Sequence, residues 1–128
     1  MSGKMAGSLT PEYAASKTSY KLASFFKGST GLKDASGLDL DGIAIANNCY
    51  RGMFYGCTKL TQAPALPATT LAVDCYNYMF YGCSSLTSAP ELPATTLAVG
   101  CYNSMFNGCT SLTQAPALPA TTLAVGCY

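Results

Sequence analysis

Three consecutive stretches, Cys49 to Asp74, Cys75 to Gly100 and Cys101 to Gly126, are copies of one 26-residue unit, and Cys127-Tyr128 begins another. The unit reads CYxxMFxGCxxLTxAPxLPATTLAVx. A fixed period of roughly 20 to 50 residues means that one unit cannot bury its apolar face alone, so neighbours must stack into a continuous core. A fainter copy comes first. Phe25-Phe26 stands for Met-Phe, Gly28 for the Gly, Leu32 for the first Leu, Ala35 for the Ala, and Leu40 and Ile45 for the next two Leu, with two extra residues between Ala35 and Leu40. The layout is therefore a tail and cap over 1–24, then about four coils over 25–128: 25–48, 49–74, 75–100 and 101–126.

Within a unit, Cys75 to Cys83 reads as a two-turn helix. Asn48, Asp74, Gly100 and Gly126 stand where N-caps would, and Gly56, Gly82 and Gly108 where a helix would end. At about 100° per residue, the positions constant between units (75, 76, 79, 80, 83) share one arc of about 140°. Cys, Met and Phe are thus expected inside. Arg51, Tyr55, Asn77, Tyr78, Tyr81, Asn103, Ser104 and Asn107 are expected outside. The following segment, Leu86 to Pro93, should be extended, but proline has no amide hydrogen to give a neighbouring coil. A strand of about three residues around 86–89 is the expectation, before a return turn over 94–99. Thr10-Pro11-Glu12 is a good helix start, so a helix from about Pro11 to Phe26 should close the N-terminal end, its lysines facing water.

The run Met79-Phe80-Tyr81-Gly82-Cys83-Ser84-Ser85-Leu86 resembles the leucine-rich repeats of BspA-type bacterial surface proteins, and the resemblance covers about 25–128. The full repeat, including Leu92 to Ala98, also resembles arrays encoded by gut Bacteroides-type bacteria and some of their viruses. It implies an α/β solenoid: a right-handed leucine-rich-repeat stack with short parallel strands, one short helix per coil and an N-terminal helical cap. It implies a binding scaffold without catalytic residues. This unit carries two prolines in its strand region and is about three residues longer than the commoner one.

Charge narrows the functions. Seven Lys and Arg against six Asp and Glu leave a net charge of +1, only 10% of residues are charged, and no His is present. All seven basic residues fall in the first 59 positions, while residues 60–128 hold only Asp74 and Glu91. Nucleic acid and anionic membranes recognise clustered cations, so neither is an expected partner. Without His there is no Ser-His-Asp or Cys-His triad and no His-containing zinc site. No run of about 18 apolar residues could span a bilayer, and no secretory leader is visible at Met1 to Gly7. No membrane insertion and no cofactor are expected.

The seven cysteines recur as two columns of the repeat. Cys49 and Cys57 lie about 12 Å apart along a helix, too far for one site, although like cysteines in stacked coils come within disulfide range. The faint coil has Ser29 at the Cys57 position and Lys21 near that of Cys49, and seven is odd, so buried free thiols are expected and no metal. Asp39 and Asp41, with Asp34 near, read as a solvated turn, with weak calcium binding as the alternative and no paired-acid glycosidase site. Tyr55, Tyr78, Tyr81 and Arg51 form the candidate binding patch, because Tyr and Arg are over-represented at binding hot spots. Thr61, Gln62, Thr87, Ser88, Glu91, Thr113 and Gln114 should make a neutral strip on the opposite side.

The expected role is a non-enzymatic scaffold binding a protein or glycan partner, as an adhesion or interaction module at a bacterial cell surface. That location needs a leader missing from this chain. Leu112 to Gly126 has no polar capping unit after it, which reads first as a break in mid-unit within a longer array and otherwise as an end covered by another copy or another protein. The alternative role is a phage virion or host-attachment protein assembling end to end through such an open stacking face.

Overall fold

The computed structural model describes residues 3–4, 23–38, 40 and 45–127. Among these no helix forms, and the segments expected to be helical are ribbons of overlapping β-turns. In one coil the amides of Cys49, Arg51, Met53, Tyr55 and Cys57 donate to the carbonyls three residues back, those of Ala46, Asn48, Tyr50, Gly52 and Phe54. The alternate amides, of Asn48, Tyr50, Gly52, Phe54 and Gly56, donate to Val73, Cys75, Asn77, Met79 and Tyr81 in the next coil. The pattern repeats from Asp74 to Gly82, whose even-numbered amides reach Val99, Cys101, Asn103, Met105 and Asn107. The faint coil joins through Ser24, Phe26 and Gly28, which donate to Arg51, Met53 and Tyr55. A helix would satisfy its amides within itself. Here half are satisfied within the coil and half by the neighbour, so the backbone accounting closes only in a stack.

The turns follow a rule of four. Positive φ occurs at Asn48, Gly52 and Gly56, at Asp74, Tyr78 and Gly82, and at Gly100, Ser104 and Gly108. Each is the third residue of a turn, the place where a type II turn needs a left-handed residue. Asn48, Asp74 and Gly100, expected to be N-caps, are left-handed turn residues instead. The expected helix was in any case weak: nine residues of Cys, Tyr, Asn, Met and Phe are too few and too poor as helix formers to hold without tertiary support.

The α/β solenoid with one helix per coil and a helical cap is thus corrected in three respects. Turn ribbons replace the helices. No strand forms at 86–89; among the described residues strand structure is confined to β1 (Gly3–Lys4) and β2 (Leu32–Asp34), paired in parallel, with isolated parallel bridges Asp34 to Gln62 and Thr70 to Thr96. Pro64, Pro90 and Pro116 have no amide hydrogen to donate to a ladder, and pairing does not propagate along this side. The helix expected over Pro11 to Phe26 falls largely outside the described residues, but 23–26 is turn, and the segment packed on the edge of the faint coil is β1.

The core is a set of columns running through the stack. Phe26, Phe54, Phe80 and Phe106 lie face to face at centroid distances of 5.4, 5.3 and 5.7 Å with ring planes within 11°. Tyr50, Tyr76 and Tyr102 form a second column at 5.7 and 5.9 Å. Met53, Met79 and Met105 and Leu60 and Leu86 fill the space beside them, all buried. Phe26 on Phe54 shows that the faint coil shares the core of the regular ones.

Candidate functional site

Stacking in register turns sequence positions into surface columns. Lys27, Tyr55, Tyr81 and Asn107 make one; Ser24, Gly52, Tyr78 and Ser104 make another; Ala23, Arg51, Asn77 and Asn103 make a third. Where the middle column carries Ser24 and Gly52, the surface sinks between its neighbours. The result is an open depression of about 540 Å³ lined by Ala23, Ser24, Lys27, Arg51, Gly52, Tyr55, Tyr78 and Tyr81. Tyr55 and Tyr81 form one wall, stacked at 4.7 Å and 9°. Tyr78 rises as the end wall, edge-on to both, at 6.4 Å from Tyr55 and 5.6 Å from Tyr81. The Arg51 guanidinium lies 5.8 Å from the Tyr78 centroid and the Lys27 ammonium 5.0 Å from that of Tyr55.

The four residues expected to form a patch, Arg51, Tyr55, Tyr78 and Tyr81, are therefore gathered into one cup. Lys27 is a fifth member, which the sequence alone did not single out as a candidate. Its signal was present, because the alignment of Gly28 with Gly56 puts Lys27 in the Tyr55 column. Asn77 was expected outside and is instead 5% exposed. Its Nδ2 donates to Asp74 Oδ1 at 3.0 Å, while its Oδ1 has no hydrogen-bond partner. Variation between units at this column reflects local bonding, not exposure. Asn103 and Ser104 are half-buried and Asn107 exposed; Thr61, Gln62, Thr87, Ser88, Glu91, Thr113 and Gln114 are all exposed on the other side.

Tyr78 is the conformational exception. The other described non-glycine residues at positive φ are Ser24, Asn48, Asp74 and Ser104, small polar residues whose side chains can bond locally, Asn and Asp also tolerating the left-handed region well. Tyr78 holds φ 57 with a bulky ring, at the column position where the preceding coil has glycine. Such a placement costs about 1 to 2 kcal/mol.

The cysteines offer no comparable site. All seven are buried free thiols. Burial pushes Cys57 and Cys109 up to about 11 and Cys75 up to about 12, against an ordinary 9.0, and raises Cys49, Cys83 and Cys101 as well. Such groups stay protonated and inert. Their role is in the fold: Cys57, Cys83 and Cys109 Sγ lie 3.1, 3.1 and 3.0 Å from the carbonyls of Phe26, Phe54 and Phe80 in the preceding coil, as thiol donors. Among the described residues no group of three His, Cys, Asp or Glu is placed to hold a metal, and no helix is long and apolar enough to cross a membrane. Asp39 and Asp41 lie outside the described residues; Asp34 accepts from the Ser36 amide at 2.8 Å, as an acid in a turn does.

Comparison with family models, characterised proteins and solved structures finds no match to this chain.

Proposed function

We propose that the chain is a non-enzymatic repeat scaffold that binds a protein or glycan partner through the cup of Arg51, Tyr55, Tyr78 and Tyr81, as an interaction module of a bacterial cell surface. The observation that carries this reading is Tyr78. Backbone strain concentrates where function requires a particular side chain, and a ring at φ 57, in a column that otherwise uses Ser24, Gly52 and Ser104, stands at the end of the cup. Tyrosine rings supply large contact area at low entropic cost, and tyrosine and arginine are both enriched at binding hot spots. Replacing Arg51, Tyr55, Tyr78 and Tyr81 together by Ala should abolish partner binding while leaving cooperative unfolding intact; unchanged binding would remove the patch from the reading.

A further inference from the structure

Resting on the cup as a binding site, we infer that its ligand is an acidic saccharide, a chain of sugars bearing carboxylate or sulfate groups. Two features of the cup select against a neutral sugar. A neutral sugar is held chiefly by laying its C–H face on an open aromatic face, yet Tyr55 has Tyr81 against one side, at 4.7 Å, and Lys27 against the other, at 5.0 Å. What this wall presents to the cup is ring edge, the electropositive part of the ring, and phenolic hydroxyl, both suited to oxygen anions.

The second feature is charge. Lys27 and Arg51 stand in the two columns that flank the floor, and among the described residues neither has a carboxylate partner; each is held only over a tyrosine ring. Of the described acids, Asp74 engages Asn77, Asp34 engages the Ser36 amide, and Glu91 lies with the proline segments lining a different depression. Among the described residues the cup thus holds two cations and no facing acid, in a chain whose net charge is only +1. Arginine supplies a planar fork matched to carboxylate and sulfate, and lysine a point charge. Ser24 and Gly52 carry small side chains or none, so the floor stays low between the columns of Lys27 and Arg51. An acidic peptide carries the same anions without the dense hydroxyls that three phenols and Ser24 can bond, which is why the saccharide is favoured.

The test is calorimetric titration of the full chain with four probes: a galacturonate tetramer, a sulfated glucosamine–uronate tetrasaccharide, a neutral glucose tetramer and a glutamate tetrapeptide. The expected result is binding of one or both acidic saccharides, weakening with added salt and weakening roughly tenfold in each of Lys27→Gln and Arg51→Gln. Wild-type thermal unfolding should persist in both variants, since both side chains are exposed. Equal binding of the neutral tetramer, untouched by the two variants, overturns the acidic assignment and leaves a glycan-binding cup. Binding of the glutamate peptide alone, lost in Arg51→Gln, overturns the saccharide and leaves a protein-binding cup. No binding of any probe to millimolar concentration overturns the inference, and the quadruple alanine variant then decides separately whether the cup binds at all.

Discussion

Replacing Tyr78 by Gly and by Ala, side by side, isolates the backbone cost of its conformation. Both variants lose the same ring contacts: two edge-on partners at 6.4 and 5.6 Å and the Arg51 guanidinium at 5.8 Å. Those contacts are half-exposed, and each contributes about 0.5 to 1 kcal/mol. The two variants differ in the backbone. At φ 57 alanine retains the left-handed penalty of about 1 to 2 kcal/mol, whereas glycine has none but gives up about 0.5 to 1 kcal/mol through its greater freedom when unfolded. Glycine should therefore be the more stable variant by roughly 0.5 to 1 kcal/mol, the reverse of the order in a helix, where alanine leads by about 1 kcal/mol. Urea unfolding at equal m-value reads the difference as a shift in midpoint, and a Tm difference of about 2 to 5 °C should accompany it. Alanine equal to or above glycine would show that residues 75–83 are helical after all, and would remove both the turn ribbon and the strain at Tyr78.

Other outcomes follow from the same structure. Stability should fall at high pH: a buried thiol stays protonated when folded and ionises near 9 when unfolded, so its contribution is complete below pH 9. It is lost as pH rises through the folded values of about 11 for Cys57 and Cys109 and about 12 for Cys75; each contributes roughly 2 to 4 kcal/mol, and a flat urea midpoint from pH 8 to 10.5 would contradict the burial. Thiol titration should find seven reactive groups in denaturant and almost none in the native chain. Cys83→Ala should destabilise by roughly 1 to 2 kcal/mol, since it leaves a small cavity and removes a donor to the Phe54 carbonyl; an unfolding midpoint indistinguishable from wild type would show the thiol contributes nothing.

The inside and outside of each coil were legible because internal repetition separates constant from variable positions: Cys75, Tyr76, Met79, Phe80 and Cys83 are all buried. The conformation was not legible from that pattern. Burial at i, i+1, i+4, i+5 and i+8 suits a helix, but it equally suits a ribbon with two residues in and two out. A sharper signal lay in the residues four apart, Asn48, Gly52 and Gly56, then Gly100, Ser104 and Gly108, all types that tolerate positive φ. Tyr78 interrupts that series and hides it in the middle unit. The grouping of the patch was legible because it needs only side and register, while Lys27 was missed because the faint coil was not followed through column by column for its outward residues. The strand at 86–89 failed because Leu86 and Ala89 recur for packing, and the prolines beside them prevent a ladder from extending.

From Ser24 to Tyr102, every backbone bond between turn ribbons runs from an amide in the earlier coil to a carbonyl in the later one. The peptide dipoles of this column therefore point one way, and the polarity set by the first turn ribbon is carried through each coil that stacks on it. A coil grafted into the array keeps the ladder only if it runs in the same sense, giving carbonyls to the coil before it and amides to the coil after; reversed, it would set amide against amide.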